Sequence, residues 1–233
     1  MTERILITGG ASGIGAAIAE RSRRDGYEAV VIDLVGRDAI KADLSSVEET
    51  AFALERALEG GPFTRVVNNV GFIRPAPIEA LTFAELESTL NVNLRCAIQC
   101  IQAVLPGMRA AGFGRVVNIA SRAALGKEGR TAYSAAKAGL MGLTRTLSLE
   151  LARDGITVNS VGPGPIRTAL FDQANPEGDP RTLDIIRSIP VGRMGEAEDV
   201  SHAVSYFLDE RSGFVTGQNL YVCGGKTVGL ANI

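Results

Sequence analysis

Short apolar runs recur along this chain, separated by stretches with helical spacing. The first run, Arg4 to Thr8, is almost wholly aliphatic, as expected of a strand covered on both faces. The same pattern predicts strands at Glu28–Ile32, Ala39–Ala42, Thr64–Asn68, Gly114–Ala120, Ile156–Ser160 and Asn219–Cys223. Helices are expected at Ala16–Arg24, from a cap at Ser45 or Ser46 to Glu59, and at Phe83–Ala111 with a break near Pro106. Further helices follow at Thr131–Arg153, Leu183–Arg187 and Glu196–Leu208. Strands alternating with helices predict an α/β fold, a doubly wound parallel sheet with helices on both faces. About seven strands are counted, in a single domain over 1–233 without repeat or linker.

Three stretches depart from this rhythm. Only Leu34 to Asp38 separate Asp33 from the third strand, fewer than the dozen or so residues of a crossover helix, so a loop is expected there. The segment 168–190 is polar and carries Asp172, Asn175, Pro176 and Gly178; it reads as a substrate lid, with Leu170, Phe171, Ile185 and Ile186 as apolar candidates. The middle of the Phe83 helix, Leu94 to Ile101, is apolar on most sides, which predicts a homo-oligomer, a dimer or a homotetramer.

Composition narrows the function. The chain is 45% hydrophobic and 21% charged, with a formal net charge of −2, so neither nucleic acid nor an anionic membrane is an expected partner. No apolar run approaches the ~20 residues of a membrane span, and Met1-Thr2-Glu3-Arg4 does not open a leader peptide. A cytoplasmic setting is expected. Cys96, Cys100 and Cys223 form no disulfide framework and read as buried thiols. The single histidine, His202, is far from every motif, which leaves no multi-histidine metal site and no His-based triad.

The candidate chemistry lies at strand ends. Gly9-Gly10-Ala11-Ser12-Gly13-Ile14-Gly15 joins the first strand to a helix, the context in which glycines admit a pyrophosphate to a helix N-terminus. Asp33 ends the second strand, where a carboxylate holds ribose hydroxyls and repels a 2′-phosphate; NAD is therefore expected ahead of NADP. Tyr133-Ser134-Ala135-Ala136-Lys137 places a phenol and an ammonium one turn apart on a helix. A free phenol titrates near 10, so a base working near neutrality needs a drop of roughly 3 units, or about 4 kcal/mol. One charge at ~4 Å supplies about that much at an effective dielectric near 20, so Lys137 is expected to lower the Tyr133 pKa.

Thr8-Gly9-x-x-x-Gly13-x-Gly15, Asp43-Leu44, Asn68-Asn69-Val70-Gly71, Asn93, Ser121, Tyr133-x-x-x-Lys137 and Pro163-Gly164 stand in one order. This set resembles the short-chain dehydrogenase/reductase family from Arg4 to Gly225. The resemblance implies an NAD(P)-dependent oxidoreductase that moves a hydride between a nicotinamide and a secondary alcohol or ketone. It implies that Tyr133 is the acid/base and that Lys137 tunes it and holds the nicotinamide ribose. Ser121 would steady the substrate oxygen, and Asn93, with Asn91 as competitor, would hold a water linking Lys137 to solvent. Gly9, Ser12, Gly13, Ile14 and Gly15 would surround the pyrophosphate, Asp33 the ribose, and Asp43 with Leu44 the adenine. Asn69, Gly71 and Pro163 would line the cofactor, and Ile166 and Thr168 would meet its carboxamide.

Departures from the family pattern are Val70 in place of a small alanine and Ser121 twelve residues before Tyr133, with Ala120 in the thirteenth place. Other readings are a cofactor-retaining epimerase or dehydratase, and a dinucleotide sensor without turnover. Arg74, Arg122 and Lys127 are the candidates to meet an anionic substrate.

Overall fold

The computed structural model describes residues 2–168, 171 and 178–228. Seven strands form one parallel sheet: β1 (Arg4–Thr8), β2 (Glu28–Asp33), β3 (Ile40–Lys41), β4 (Arg65–Asn68), β5 (Gly114–Ile119), β6 (Ile156–Pro163) and β7 (Asn219–Val222). Their order is β3-β2-β1-β4-β5-β6-β7. The chain winds outward from β1 to β3, returns to place β4 on the other side of β1, and winds outward again. Ligands of open α/β sheets bind where this direction reverses, outside the carboxyl ends of the strands.

Successive residues of a strand face opposite sides, and the core follows that period. Leu6, Ile32, Val66, Val116 and Val158 pack on one side with α2 (Val47–Leu58) and α4 (Cys96–Ala111). Ile5, Ile7, Val31, Val67, Val117 and Val161 pack on the other with α1 (Gly13–Arg24) and α7 (Ala197–Leu208). Full burial of each such side chain is worth roughly 1.5–3 kcal/mol. Helices α3 (Phe83–Leu90), α5 (Thr131–Leu151) and α6 (Pro180–Arg187) complete the set among the described residues.

Several boundaries differ from expectation. The long helix runs unbroken through Pro106 as part of α4. Burial of Val104 and Met108 on either side offsets the ~3 kcal/mol cost of an interior proline. The irregularity falls instead at Asn91–Arg95, a π-helical turn between α3 and α4. A π turn shifts each N–H one carbonyl further back. There the Asn93 side chain donates to the Thr89 carbonyl at 2.9 Å. Strand β6 extends to Pro163, beyond the expected Ser160, because Ser160 to Pro163 pair with Asn219 to Val222. The connection after Asp33 is a loop, as its length required, and β3 keeps only two residues. Ser46, not Ser45, caps α2 by accepting from the Glu49 N–H. Leu170, Asp172, Asn175 and Pro176 of the expected lid lie outside the described residues.

Candidate active site

The glycine turn after β1 is built for close approach. Gly9 has φ +66, and a Cβ there would stand 2.9 Å from the Val70 Cα. A Cβ on Gly15 would stand 2.0 Å from the Gly9 carbonyl oxygen, so only glycine allows this helix start to meet the turn. Asn69, from the end of β4, clamps the arrangement: its Nδ2 donates to the carbonyls of Thr8 at 3.0 Å and Gly9 at 2.8 Å. The Thr8 hydroxyl accepts from the N–H groups of Asn69 and Val70. Asn69 therefore shapes the turn with its amide, leaving its side-chain oxygen for other use.

This cradle fits a dinucleotide. Ser12 precedes α1 but makes no side-chain cap, and the first turn holds no acid, so the positive end of the helix faces outward. The nearest neighbour to a Cβ on Gly13 is Thr168 Cγ2 at 3.5 Å, which sets Thr168 across the open side of the turn. Ile14 packs partly into the core behind it. Asp33 closes the near end by accepting from the Ala11 N–H at 2.9 Å and from Val35 N at 3.3 Å. Asp43 accepts from Ser45 N at 2.8 Å. The Leu44 side chain packs in the core, and its carbonyl accepts from Arg95 at 3.0 Å. Pro163 ends β6, and Ile166 is buried through a bridge to Gly195.

The reactive groups converge next to this cradle. A buried chain of amides sets the height of α5 against the sheet: Asn68 Nδ2 donates to Asn118 Oδ1 at 2.8 Å, and Asn118 Nδ2 donates to Thr144 Oγ1 at 2.9 Å. The Ser121 hydroxyl stands close enough to Tyr133 to draw the phenol pKa down, so the twelve-residue spacing does bring the two together. Ser121 also accepts from Ala123 N at 3.1 Å, which fixes its rotamer at the start of a 3₁₀ turn. Ala120 is buried.

Lys137 lies one turn behind Tyr133. Its ammonium is only 2% exposed and donates to the Ile119 carbonyl at 2.8 Å. Burial lowers its pKa from 10.5 to about 8, partly opposed by the buried Cys96 thiol. A Cβ on Gly71 would stand 3.1 Å from Asn93 Oδ1 and 3.5 Å from Lys137 Nζ, so these three residues line one spot. The Asn93 amide is otherwise committed, to the Phe72 carbonyl at 2.8 Å, the Thr89 carbonyl and the Phe72 N–H.

One expectation is reversed. Burial raises the Tyr133 pKa, while Ser121 and Arg130 pull it down. The Lys137 ammonium lies 5.6 Å from the centre of the Tyr133 ring and is not among the groups that pull the phenol down. Arg74, an exposed candidate for an anionic substrate, pairs with Glu85 at 2.9 Å. Arg130 and Lys226 were missed. Arg130 stands three residues before Tyr133, a helical spacing that was readable. Lys226 carried no local signal.

A family model described as Enoyl-(Acyl carrier protein) reductase matches residues 9–227. The chain is 40% identical to (2S)-((R)-hydroxy(phenyl)methyl)succinyl-CoA dehydrogenase subunit BbsD of Thauera aromatica, covering 96% of both chains. It is 37% identical to acetoacetyl-CoA reductase of Rhizobium meliloti, over 97% of this chain and 99% of that one. Among solved structures, a blue fluorescent protein from a metagenomic library, in complex with NADPH, superposes with a TM-score of 0.89 at 32% identity. That match covers 97% of this chain and 98% of the other.

Proposed function

Because the chain belongs to the short-chain dehydrogenase/reductase family, we propose that it acts on a hydroxyacyl thioester or the matching ketoacyl thioester. It is a pyridine-nucleotide-dependent oxidoreductase that interconverts an alcohol and a ketone. These likenesses favour neither an epimerase or dehydratase nor a sensor.

The observation that carries the reading is the Ser121–Tyr133 hydroxyl pair beside a glycine cradle, with a buried ammonium one turn behind. In reduction, the substrate oxygen accepts hydrogen bonds from both hydroxyls. Tyr133 gives up its proton as charge develops there, and Ser121 keeps its bond. A phenol raised by burial is held in its proton-donating form near neutral pH, which suits this direction. In oxidation Tyr133 must first lose that proton, with Ser121 and Arg130 favouring the anion. Lys137, titrating at about 8, is suited to pass protons between the site and solvent. Asn93 and Gly71 hold the space beside its ammonium.

The turn Gly9–Gly15 and the start of α1 would hold the diphosphate, Asp33 the ribose and Asp43 the adenine, with Ile166 and Thr168 toward the carboxamide. When bound, the nicotinamide supplies the two-electron donor or acceptor. The Asp33 carboxylate would repel a 2′-phosphate and so favour NAD, whereas the similar blue fluorescent protein holds NADPH, which favours NADP. The free thiols Cys96, Cys100 and Cys223 support a reducing, cytoplasmic setting, and exposed Ile98 and Phe83 support a homo-oligomer.

The test is reduction of acetoacetyl-CoA against a plain methyl ketone with NADH and with NADPH. The thioester is expected to give the larger kcat/KM by tenfold or more, roughly the step worth 1.4 kcal/mol. Tyr133→Phe should lose about 10³-fold in kcat while dinucleotide binding persists. Equal rates on both substrates would remove the thioester assignment; full activity in Tyr133→Phe would remove the catalytic one.

A further inference from the structure

Four cations border the substrate side of the site. Arg122 follows Ser121 directly and opens the 3₁₀ turn Arg122–Leu125. Lys127 sits on the loop after Gly126, and Arg130 immediately precedes α5, tied to Ala76 by a bridge. The segment 122–130 is thus the strap between the two reactive hydroxyls. Lys226 comes from the turn after β7, at the same carboxyl edge of the sheet as the loop after β5, and donates to the carbonyl and the hydroxyl of Ser188. Among the described residues none of the four pairs with a carboxylate. Glu128, the one acid on the strap, is exposed and makes no ion pair.

The charge states of Lys127 and Lys226 agree with that placement. Burial, then Arg130, Arg122 and Lys226, hold the Lys127 ammonium below its ordinary range. Burial and then Arg122 do the same for Lys226. Like charges with no counter-charge among the described residues repel, and a cleft lined by one sign attracts the opposite sign. Arg130 also acts on the Tyr133 phenol, so the positive region reaches the reacting oxygen.

We propose that Arg122, Lys127, Arg130 and Lys226 form an anion subsite that receives an oxyanion of the substrate, a carboxylate or a phosphate, while its ketone lies against Ser121 and Tyr133. The subsite deepens the thioester reading and rests on it for the position of the reacting carbon. It selects substrates by charge. A carboxylate on the acyl part or a phosphate on the carrier would fill it equally well by chemistry, since guanidinium groups bind both in the same forked geometry.

The experiment compares three ketoacyl thioesters. Acetoacetyl-CoA carries phosphates on its carrier; the acetoacetyl thioester of N-acetylcysteamine carries no anion; a 3-oxoacyl thioester of N-acetylcysteamine ending in a carboxylate carries one on the acyl part. Each is assayed with the full-length wild type, Lys127→Ala and the double variant Arg122→Ala/Lys127→Ala. In the double variant KM is expected to rise about tenfold or more on the anionic substrates, with kcat held, because charge-assisted hydrogen bonds are lost. KM on the neutral thioester should not move. A rise confined to the CoA substrate assigns the subsite to carrier phosphate, and a rise confined to the carboxylated acyl chain assigns it to the acyl part. Lys127→Arg should restore wild-type KM where Lys127→Ala raises it. Unchanged KM on all three substrates in the double variant would overturn the subsite. Failure of the wild type to turn over even the neutral thioester would instead overturn the substrate class.

Discussion

Arg65 and Lys137 are both cations sealed inside the protein, 1% and 2% exposed, yet they sit at opposite ends of the sheet and in opposite company. Arg65, at the amino end of β4, is fully partnered. Its Nη1 donates to Glu3 at 2.6 Å and to the Thr64 hydroxyl at 3.1 Å, and its Nε donates to the Leu208 carbonyl at 3.0 Å. The rings of Tyr27 and Phe113 lie 4.3 and 4.9 Å from its guanidinium carbon. An open groove of ≈ 810 Å³ lies beside it, in which Arg65 pairs with Glu3 and Arg211 with Asp209. Lys137, on the carboxyl side, has one neutral carbonyl and no carboxylate among the described residues. A planar guanidinium can be satisfied in a fixed place, whereas a compact ammonium left short of partners changes its pKa. A perturbed ionisable group in a cleft marks chemistry; a satisfied one marks structure.

The sharpest way to break this contrast is Lys137→Met. It should lower kcat/KM by about 10³-fold, of the order expected for loss of a proton-transfer partner. Stability should move the other way. The folded state holds the Lys137 proton less tightly than the unfolded chain, so burial of the charge costs stability wherever both states are protonated, below pH about 8. That cost is relieved as pH rises from about 8 toward 10.5. Lys137→Met should therefore be more stable than wild type at neutral pH, by up to roughly 3 kcal/mol, and its stability difference should shrink across that window. Urea unfolding of both proteins at several pH values measures this; a difference that does not vary with pH would contradict it.

Arg65→Met should do the reverse. Loss of a buried, bonded cation is expected to cost about 3 kcal/mol of unfolding free energy, while kcat/KM stays within about twofold. A large fall in activity at unchanged stability would erase the distinction between the two ends. The smallest effect is expected for Arg74→Ala. Its surface pair with Glu85 is worth no more than ~1 kcal/mol, and KM for an anionic thioester should be unchanged, unlike in the Arg122→Ala/Lys127→Ala variant. A tenfold KM rise in Arg74→Ala, roughly 1.4 kcal/mol, would place the anion elsewhere.

Much of the site was legible because its parts are local. The turn Gly9–Gly15 announces itself between a strand and a helix, and Tyr133 and Lys137 are one helical turn apart. Asp33 was readable from its place at a strand end, and the structure holds it there through Ala11. Asp43 faces the turn, while the side chain of the adjacent Leu44 is needed by the core. Pro106 misled because a local helix penalty was overruled by the burial of Val104 and Met108.

The sequence by itself determined the alternation of strand and helix, the two faces of the sheet, the cradle for a dinucleotide and the pairing of a phenol with an ammonium. Each follows from residues near one another along the chain, where period and sterics decide. Tertiary structure alone decided that Ser121 comes close to Tyr133 and that burial pushes the phenol up rather than down. Desolvation and through-space charge depend on distances between segments remote in sequence, and those distances exist only once the chain has folded.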